Sequence, residues 1–129
     1  MTGMPPTLVC RNISVSYATT PVLAGLDLEA APGETVALLG PSGSGKTTLL
    51  AAVAGFVPLT GGTIEIAGEA VADPGHGVAP ERRSVSMVFQ NYALWPHLNA
   101  RDTVAYPLRR NGVDRGSAAA EAARLLERV

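Results

Sequence analysis

The stretch GPSGSGKT, residues 40–47, decides the fold of this chain. It matches in full the pattern G-x-x-x-x-G-K-[ST], which is the sequence of a phosphate-binding loop. Residues 35–39 before it (TVALL) are typical of a strand, and residues 48–54 after it (TLLAAVA) have helical character. Because the pattern is convincing only between a strand and a helix, this context predicts a bound nucleoside triphosphate with Mg²⁺.

Each residue type in the loop has a chemical role in holding phosphate. Gly40, Gly43 and Gly45 have no Cβ, so their backbone can adopt positive φ and approach a ligand closely. Successive N–H groups then turn inward as an anion-binding nest, and the following helix adds its unpaired N–H groups and positive dipole end. We expect Lys46 to reach the β- and γ-phosphates and the Thr47 hydroxyl to ligate Mg²⁺.

The whole loop therefore forms the predicted nucleotide site. Thr48 is expected to add a hydroxyl contact further back along the phosphate chain. The alternative is a Gly/Ser turn that precedes a lysine by chance, and the strand before and helix after the turn disfavour it. The predicted cofactor-binding residues of the loop are Gly40, Pro41, Ser42, Gly43, Ser44, Gly45, Lys46, Thr47 and Thr48.

Length and composition exclude several classes of protein. With 129 residues the chain has the size of one domain and can bury a core. A hydrophobic fraction of 47% and a charged fraction of 16% exclude a disordered tail. The net charge of −1 gives no support for a nucleic-acid partner. Cys10 is the only cysteine, which excludes a disulfide framework and a cysteine metal cluster, and we expect it to be a small buried residue in a strand.

No membrane or export segment is predicted. Residues 1–7 are short, proline-rich and uncharged, unlike a secretory signal. The longest apolar stretch, residues 49–59, is too short to span a bilayer and contains Gly55 and Pro58, which indicate a helix end. The sequence therefore predicts a soluble, cytosolic polypeptide.

Local patterns predict a β-rich first part and a helical last part. Apolar alternation predicts strands at residues 7–17 and 22–29, and glycine-containing turns bound a short strand at 63–66. The other predicted elements are a helix at 46–54, a surface loop at 72–80 and a buried strand at 85–89.

The last segment has the pattern of an amphipathic helix. Ser117 is its predicted N-cap. The apolar face carries Ala118, Ala122, Leu125, Leu126 and Val129. Because the pattern is still periodic at Val129, with no capping glycine, we expect the sequence to be a fragment of something longer.

Three segments together resemble the ATP-binding subunits of ABC transporters. They are GPSGSGKTTLL at 40–50, ERR at 81–83 and SMVFQNYALWPHL at 86–98. The part VFQNYALWPH, residues 88–97, is most similar to subunits of bacterial importers for sugars, polyamines, ferric iron or sulfate-type anions. The resemblance implies an α/β fold: the N-terminal part of a P-loop NTPase core with an antiparallel β subdomain, residues 1–92, and the start of a helical subdomain, residues 93–129.

The resemblance also implies roles for residues outside the loop. Tyr17 would stack on adenine with Val22 beside the base, and the alternative is a core tyrosine at a strand end. Gln90 matches the family's Q-loop glutamine, which reaches Mg²⁺ or the attacking water, and the alternative is a solvated glutamine. Lys46 and Gln90 are thus the predicted catalytic residues, Thr47 and Gln90 the predicted metal ligands, and ATP and Mg²⁺ the implied cofactors.

The segment after Gln90 resembles the region that docks on a membrane-embedded partner. Tyr92, Leu94 and Trp95 are unusually apolar for a loop, and an exposed aromatic patch indicates a protein interface. The alternative is that Trp95 packs within its own domain, and His97 is expected to be a surface or cap residue. The implied partners are a second copy of the subunit and transmembrane permease subunits docking near Tyr92–His97, at the cytoplasmic face of the cell membrane.

Several parts that ABC ATPases need for turnover are missing. The 129 residues contain no apolar strand ending in Asp-Glu, no Leu-Ser-Gly-Gly-Gln segment and no later phosphate-sensing histidine. Asp27 precedes the loop in a run interrupted by Gly25, so it is not a metal aspartate, and Arg82 and Arg83 are expected to begin a strand and to be solvated.

The resemblance therefore implies the ATP-binding subunit of an ABC import system, which couples ATP binding and hydrolysis to solute uptake. Since the signature segment and the general base are absent, the chain alone should hold nucleotide without turnover. The alternatives are a soluble ABC-type ATPase of another process and a non-catalytic nucleotide-binding module.

Overall fold

The computed structural model describes residues 6–129 of the chain. The chain divides into two compact units, the first ending at Met87 and the second formed by Val88–Val129. The expectation about a secretory signal falls mostly on residues 1–5, which lie outside the described residues.

The first unit is an antiparallel sheet with one helix. Its strands lie in the order β2-β1-β3-β4-β5. The elements are β1 (Leu8–Tyr17), β2 (Thr20–Ala30), α1 (Lys46–Ala54), β3 (Gly61–Ile66), β4 (Glu69–Asp73) and β5 (His76–Gly77), followed by a short 3₁₀ turn at Pro80–Arg82. The antiparallel β subdomain, its first three strands and helix α1 are thus present as the sequence predicts.

A bulge in β1 explains its buried pattern. In a regular strand, residues three apart point to opposite faces, yet Cys10 and Ile13 are both fully buried. Between them β1 has one residue more than β2 has between Leu28 and Leu26, and this bulge lets both side chains face the core. Asn12 has a φ of 48° at this point, and its N–H donates to Asp27 Oδ1 at 2.7 Å. Asp27 therefore stabilises the bulge.

The core of the first unit lies between the sheet and α1. Its largest fully buried side chains are those of Ile13, Ile64, Val15 and Cys10, and α1 contributes Leu49 and Ala52. Burial raises the pKa of the Cys10 thiol to about 11, because the thiolate would lose its hydration. Cys10 is therefore a small buried residue in a strand, as expected.

Two predicted strands are wrong. Within residues 6–129, neither residues 35–39 nor residues 85–89 pair with any of the five strands. Leu39 is 93% exposed and Val88 is 95% exposed, so the second segment is not buried either. Apolar composition alone does not make a strand, because the backbone N–H and C=O groups need a neighbouring strand to pair with.

The predicted surface loop at residues 72–80 is in part a hairpin. β4 continues to Asp73 and pairs with β5 through Ala72–Gly77 and Asp73–His76. The Asp73 carboxylate accepts the Gly75 N–H at 2.7 Å, which closes the turn between the two strands. The proline and glycine signals were therefore those of a tight turn and not of a long loop.

The second unit contains two packed helices, α2 (Ala100–Arg110) and α3 (Arg115–Leu126). Ala105, Ala118 and Ala122 are buried between them. The predicted face of α3 is confirmed at Ala118 and Ala122, whereas Val129 lies beyond the helix and is fully exposed.

The predicted N-cap of α3 is wrong. The cap is Asp114, whose Oδ1 accepts the N–H groups of Gly116 and Ser117, each at 3.0 Å. Ser117 lies in the first turn and donates to this carboxylate instead of capping the helix itself. An aspartate cap also places a negative charge at the positive end of the helix.

Among residues 6–129, no helix is both long and apolar enough to cross a bilayer.

We predict that Asp114→Ala speeds hydrogen exchange of the Gly116 and Ser117 amides far more than Ser117→Ala does, because only the first change removes the capping carboxylate. Hydrogen bonds lower the pKa of Asp114 from its ordinary value of 3.8. The largest contributions come from the Ser117 side chain, the Ser117 backbone N–H and the Gly116 backbone N–H. The cap's contribution is therefore full above pH 3.8 and is lost as the pH falls through the lowered pKa. Equal exchange rates in the two variants would contradict this assignment.

Candidate functional site: the phosphate-binding loop

The loop ends in a helix N-terminus that no side chain caps. α1 begins at Lys46, and its N-cap, Gly45, has a φ of 93° and makes no side-chain hydrogen bond. The N–H groups of Lys46, Thr47 and Thr48 have no carbonyl one turn earlier to bond. Since no acidic residue lies in the first turn of α1, these donors and the positive helix end are available to an anion.

The two glycines nearest the helix have left-handed backbone. Gly43 has a φ of 81° and Gly45 a φ of 93°, conformations that cost other residues strain. Gly40 is not in this region, so the expectation of positive φ was wrong there. A Cβ at Gly40 would lie 2.7 Å from Ser44 Oγ, so the exposed Ser44 side chain would have to rotate to make room for it.

Gly45 presses the loop against the start of β2. A Cβ at this position would lie 2.7 Å from Leu23 Cδ2 and 3.2 Å from the Val22 carbonyl oxygen. Gly45 is accordingly buried, while Pro41, Ser42, Gly43 and Ser44 are exposed. The loop is thus fixed at one end and open to solvent along the rest of its length, as a ligand site requires.

The Lys46 ammonium lies inside the loop. Its Nζ donates to the carbonyl oxygens of Gly40 and Pro41, each at 2.7 Å, and to Ser44 Oγ at 3.2 Å. All three acceptors are neutral, and charge-assisted hydrogen bonds to phosphate oxygens are stronger. The ammonium can therefore exchange these contacts for a bound polyphosphate.

The opposite face of α1 anchors the site to the core. Leu49 is 2% exposed and Ala52 is fully buried, while Thr47 on the other side is exposed and Thr48 is half-buried. The Thr47 hydroxyl is thus accessible at the second residue of the helix. The helix presents its polar start to solvent because its apolar residues hold it on the sheet.

Tyr17 lies at the end of β1, and Val22 lies near the start of β2, next to the loop. Tyr17 is the last residue of β1, pairs with Thr20 and is 52% exposed, so it is not a core tyrosine. Val22 is half-buried, and its Cγ1 would lie 3.5 Å from a Cβ at Gly45. The structure therefore brings Val22 to the loop and leaves about half of Tyr17 exposed, and adenine stacking stays a prediction.

Gln90 belongs to the second unit. It is exposed and follows the segment 85–89, which is neither a strand nor fully buried. The context that the sequence predicted for Gln90 was therefore wrong, and its role toward Mg²⁺ stays a prediction.

The aromatic segment after Gln90 is partly packed and partly exposed. Trp95 contacts Tyr106 of α2 edge to face, with ring centroids 4.6 Å apart at 70°, and remains 42% exposed. Tyr92 and Leu94 are 83% and 72% exposed. The packing of Trp95 within its own unit is thus confirmed, and its part in a protein interface stays a prediction.

Three arginines that the sequence analysis did not single out surround this aromatic pair. A cavity of about 760 Å³ in the second unit has no carboxylate in its lining. The residues that line it are Trp95, His97, Leu98, Tyr106, Arg109, Arg110, Val113 and Arg115. His97 lines this cavity and is exposed, so the expectation of a surface residue is confirmed. The Arg-Arg pair at the end of α2 was the available signal, although a cation there also fits simple helix capping.

The most buried charged residue was also missed. Arg83 is 8% exposed and does not begin a strand, so the expectation of a solvated side chain was wrong. Its guanidinium donates to the carbonyl oxygens of Ala52, Val53, Val71 and Val78 at 2.8 to 3.1 Å. Burial lowers the pKa of Arg83, yet a guanidinium remains charged. No local pattern in the sequence reveals these partners.

The family model described as "ABC transporter" matches residues 23–129. The chain belongs to the ABC transporter family. This ABC transporter chain is 46% identical over 110 residues to the sn-glycerol-3-phosphate import ATP-binding protein UgpC of Cupriavidus metallidurans, covering 84% of the chain and 29% of that protein.

Two other similar proteins are also named as transport ATP-binding proteins. The UgpC of Rhodopseudomonas palustris is 44% identical over 124 residues, covering 93% of this ABC transporter chain and 33% of the relative. The alpha-glucoside transport ATP-binding protein AglK of Rhizobium meliloti is 44% identical over 109 residues, covering 84% and 28%. The chain therefore spans a third or less of the length of these relatives.

One solved structure supports the fold. The dimeric structure of an ATP-binding cassette in a post-hydrolysis state, bound to ADP and Pi, matches with a TM-score of 0.79 at 25% identity. The match covers 93% of this ABC transporter chain and 56% of that chain. The α/β class and the P-loop NTPase fold predicted from the sequence are confirmed.

We predict that Gly43 and Gly45, the two left-handed glycines of the phosphate-binding loop of this ABC transporter chain, tolerate alanine unequally. Gly43→Ala should lower the free energy of unfolding by about 1–2 kcal/mol from backbone strain alone, since nothing lies within 4 Å of its Cβ position. Gly45→Ala should lower it by about 1–3 kcal/mol more, because the new methyl group meets Leu23 and Val22. Urea unfolding measures both values, and equal losses would show that Gly45 is not pressed against β2.

Proposed function

We propose that this chain is the nucleotide-binding part of the ATP-binding subunit of an ABC import system. The observation that carries the proposal is the Lys46 ammonium held inside a glycine loop, at a helix N-terminus that no side chain caps. Positive charge, unpaired N–H groups and an exposed loop surface converge there, and polyphosphate is the ligand that suits all three.

In this proposal, different residues of the first unit bind different parts of the nucleotide. The loop amides and Lys46 hold the phosphates, Thr48 contacts them further back, and Tyr17 with Val22 takes the base. The 52% exposure of Tyr17 and the contact of Val22 with the loop support this division.

The donor set fits Mg²⁺ only when it arrives with the nucleotide. Within residues 6–129 no cluster of three His, Cys, Asp or Glu side chains can hold a metal ion by itself. Mg²⁺ keeps several waters and takes one or two protein oxygens besides phosphate, and in the first unit the exposed Thr47 hydroxyl is of this kind. When bound, Mg²⁺ neutralises charge on the phosphates.

ATP hydrolysis belongs to the whole protein in this proposal. The 129 residues hold no Asp-Glu strand end that would orient and deprotonate the attacking water. The chain alone therefore binds nucleotide without turnover. In the whole protein, two subunits close over two ATP molecules, and the differential affinity of ATP for the closed pair drives the conformational change.

The membrane partner is a permease that docks on the Tyr92–His97 segment and the adjoining cavity. An aromatic floor with three arginines and no carboxylate suits a segment with an apolar anchor flanked by acidic residues. In this proposal the subunit lies on the cytoplasmic face of the membrane. The import relatives, named for sn-glycerol-3-phosphate and alpha-glucoside, support a sugar-type solute.

We predict that Lys46→Ala weakens binding of Mg·ATP by the purified chain about 10- to 100-fold, the effect of losing a charged hydrogen-bond donor. Isothermal titration calorimetry measures the affinity. Arg82→Ala is the matched control, because it removes a positive charge from an exposed side chain of the same unit. Phosphate release should be negligible in all three proteins.

Unchanged affinity in Lys46→Ala would reject the loop as the nucleotide site. Multiple turnover by the chain alone, abolished by the same change, would reject the assignment of hydrolysis to the whole protein.

We predict that Arg110→Glu in the full-length protein reduces co-purification with its permease in detergent, because the charge reversal faces an acidic segment. Arg101→Glu is the matched control, since Arg101 is exposed on the same helix and does not line the cavity. Equal recovery of both variants with the permease would contradict the docking site.

A further inference from the structure

We propose that Arg83 is a positioning residue for the phosphate-binding loop. It holds the C-terminal end of α1 on the sheet and thereby sets where Lys46 and Thr47, at the other end of the helix, meet the nucleotide. This inference rests on the proposed function of the loop.

Arg83 completes the C-terminal end of α1. The last four carbonyl groups of a helix have no partner within it. The turn after α1 satisfies two of them, since the Phe56 N–H donates to Ala51 O at 2.8 Å and the Gly55 N–H to Ala52 O at 3.1 Å. Arg83 Nη1 donates to Ala52 O and to Val53 O, each at 2.9 Å, and so reaches a carbonyl that the turn leaves without a bond.

The same guanidinium is bonded to the sheet side of the unit. Arg83 Nε donates to Val78 O at 2.8 Å, and Nη2 donates to Val71 O of β4 at 3.1 Å. One planar group therefore joins α1 to β4 and to the segment that follows β5. A lysine ammonium cannot reproduce this arrangement, because its donors radiate from a single atom.

Gly55 provides the space for this contact. A Cβ at Gly55 would lie 2.7 Å from Arg83 Nε and 2.9 Å from Cζ. The glycine thus has two functions: its φ of 92° ends the helix, and its missing side chain lets the guanidinium lie against the helix end.

A shift at Arg83 reaches the loop because α1 is short and stiff. Nine residues of helix span roughly 13 Å, so a tilt about the buried Leu49 and Ala52 moves both ends together. Arg83 also supplies a cation at the negative end of the helix, where α1 itself has no basic residue in its last turn. Displacements of about 1 Å are enough to weaken a preorganised site strongly.

The experiment compares Arg83→Met and Arg83→Lys with Arg82→Met in the 129-residue chain. Arg82 is the adjacent, exposed arginine, so its change removes the same charge and side-chain type. Calorimetry measures Mg·ATP affinity at a temperature where circular dichroism gives the folded fraction of each variant. NMR measures the amide chemical shifts of Lys46 and Thr47.

We expect Arg83→Met to lower the affinity per folded molecule about 10-fold and to shift the Lys46 and Thr47 amides, with partial recovery in Arg83→Lys. Arg82→Met should change neither. If Arg83→Met does not fold, Arg83→Lys carries the test, because it keeps the charge and loses the planar array of donors.

Unchanged affinity per folded molecule and unchanged amide shifts, with only a lower Tm, would overturn the proposal and leave Arg83 a purely stabilising residue. The two proposals fail separately. If the unaltered chain binds no ATP, the proposed function fails, whereas the amide shifts still report whether Arg83 positions the loop.

Discussion

Close packing of Gly45 on the start of β2 is the constraint on which the site depends. A side chain here would crowd Leu23 and the Val22 carbonyl oxygen, and the left-handed backbone that leads into α1 also favours glycine. The result is a helix that begins without a capping side chain, which a protein built only for stability would avoid. The unsatisfied N–H groups become useful when an anion satisfies them, so the local loss of stability and the binding capacity have one cause.

The C-terminal end of α1, unlike its uncapped N-terminus, has hydrogen-bond donors for most of its terminal carbonyl groups. At its far end α1 has a glycine turn and a buried guanidinium that together bond three of its last four carbonyl groups. The middle of the helix is held by Leu49 and Ala52. The helix is therefore fixed at its C-terminus and along one face, and its N-terminus is left to the ligand. Such an asymmetry suits a site that must be rigid before phosphate arrives.

The sequence was sufficient where the determining interactions are local. The loop pattern, helix α1 and the alternation of β1 depend on residues a few positions apart, and these elements are present in the structure. Residues 35–39 and 85–89 do not form the predicted strands, because strand pairing depends on a neighbouring strand that composition does not reveal. The burial of Arg83 could not be predicted for the same reason, since its carbonyl partners on α1 lie 30 and 31 positions away. The ABC family itself was predictable because its motifs are contiguous.

The buried thiol of Cys10 has a practical consequence. With a pKa near 11 and 1% exposure, it stays protonated and shielded at neutral pH, and thiolate is the form that reacts with maleimides and disulfide reagents. It is the chain's sole cysteine. A single cysteine introduced on the surface could therefore carry a fluorophore or spin label selectively, with the native sulfur left in place and the core undisturbed.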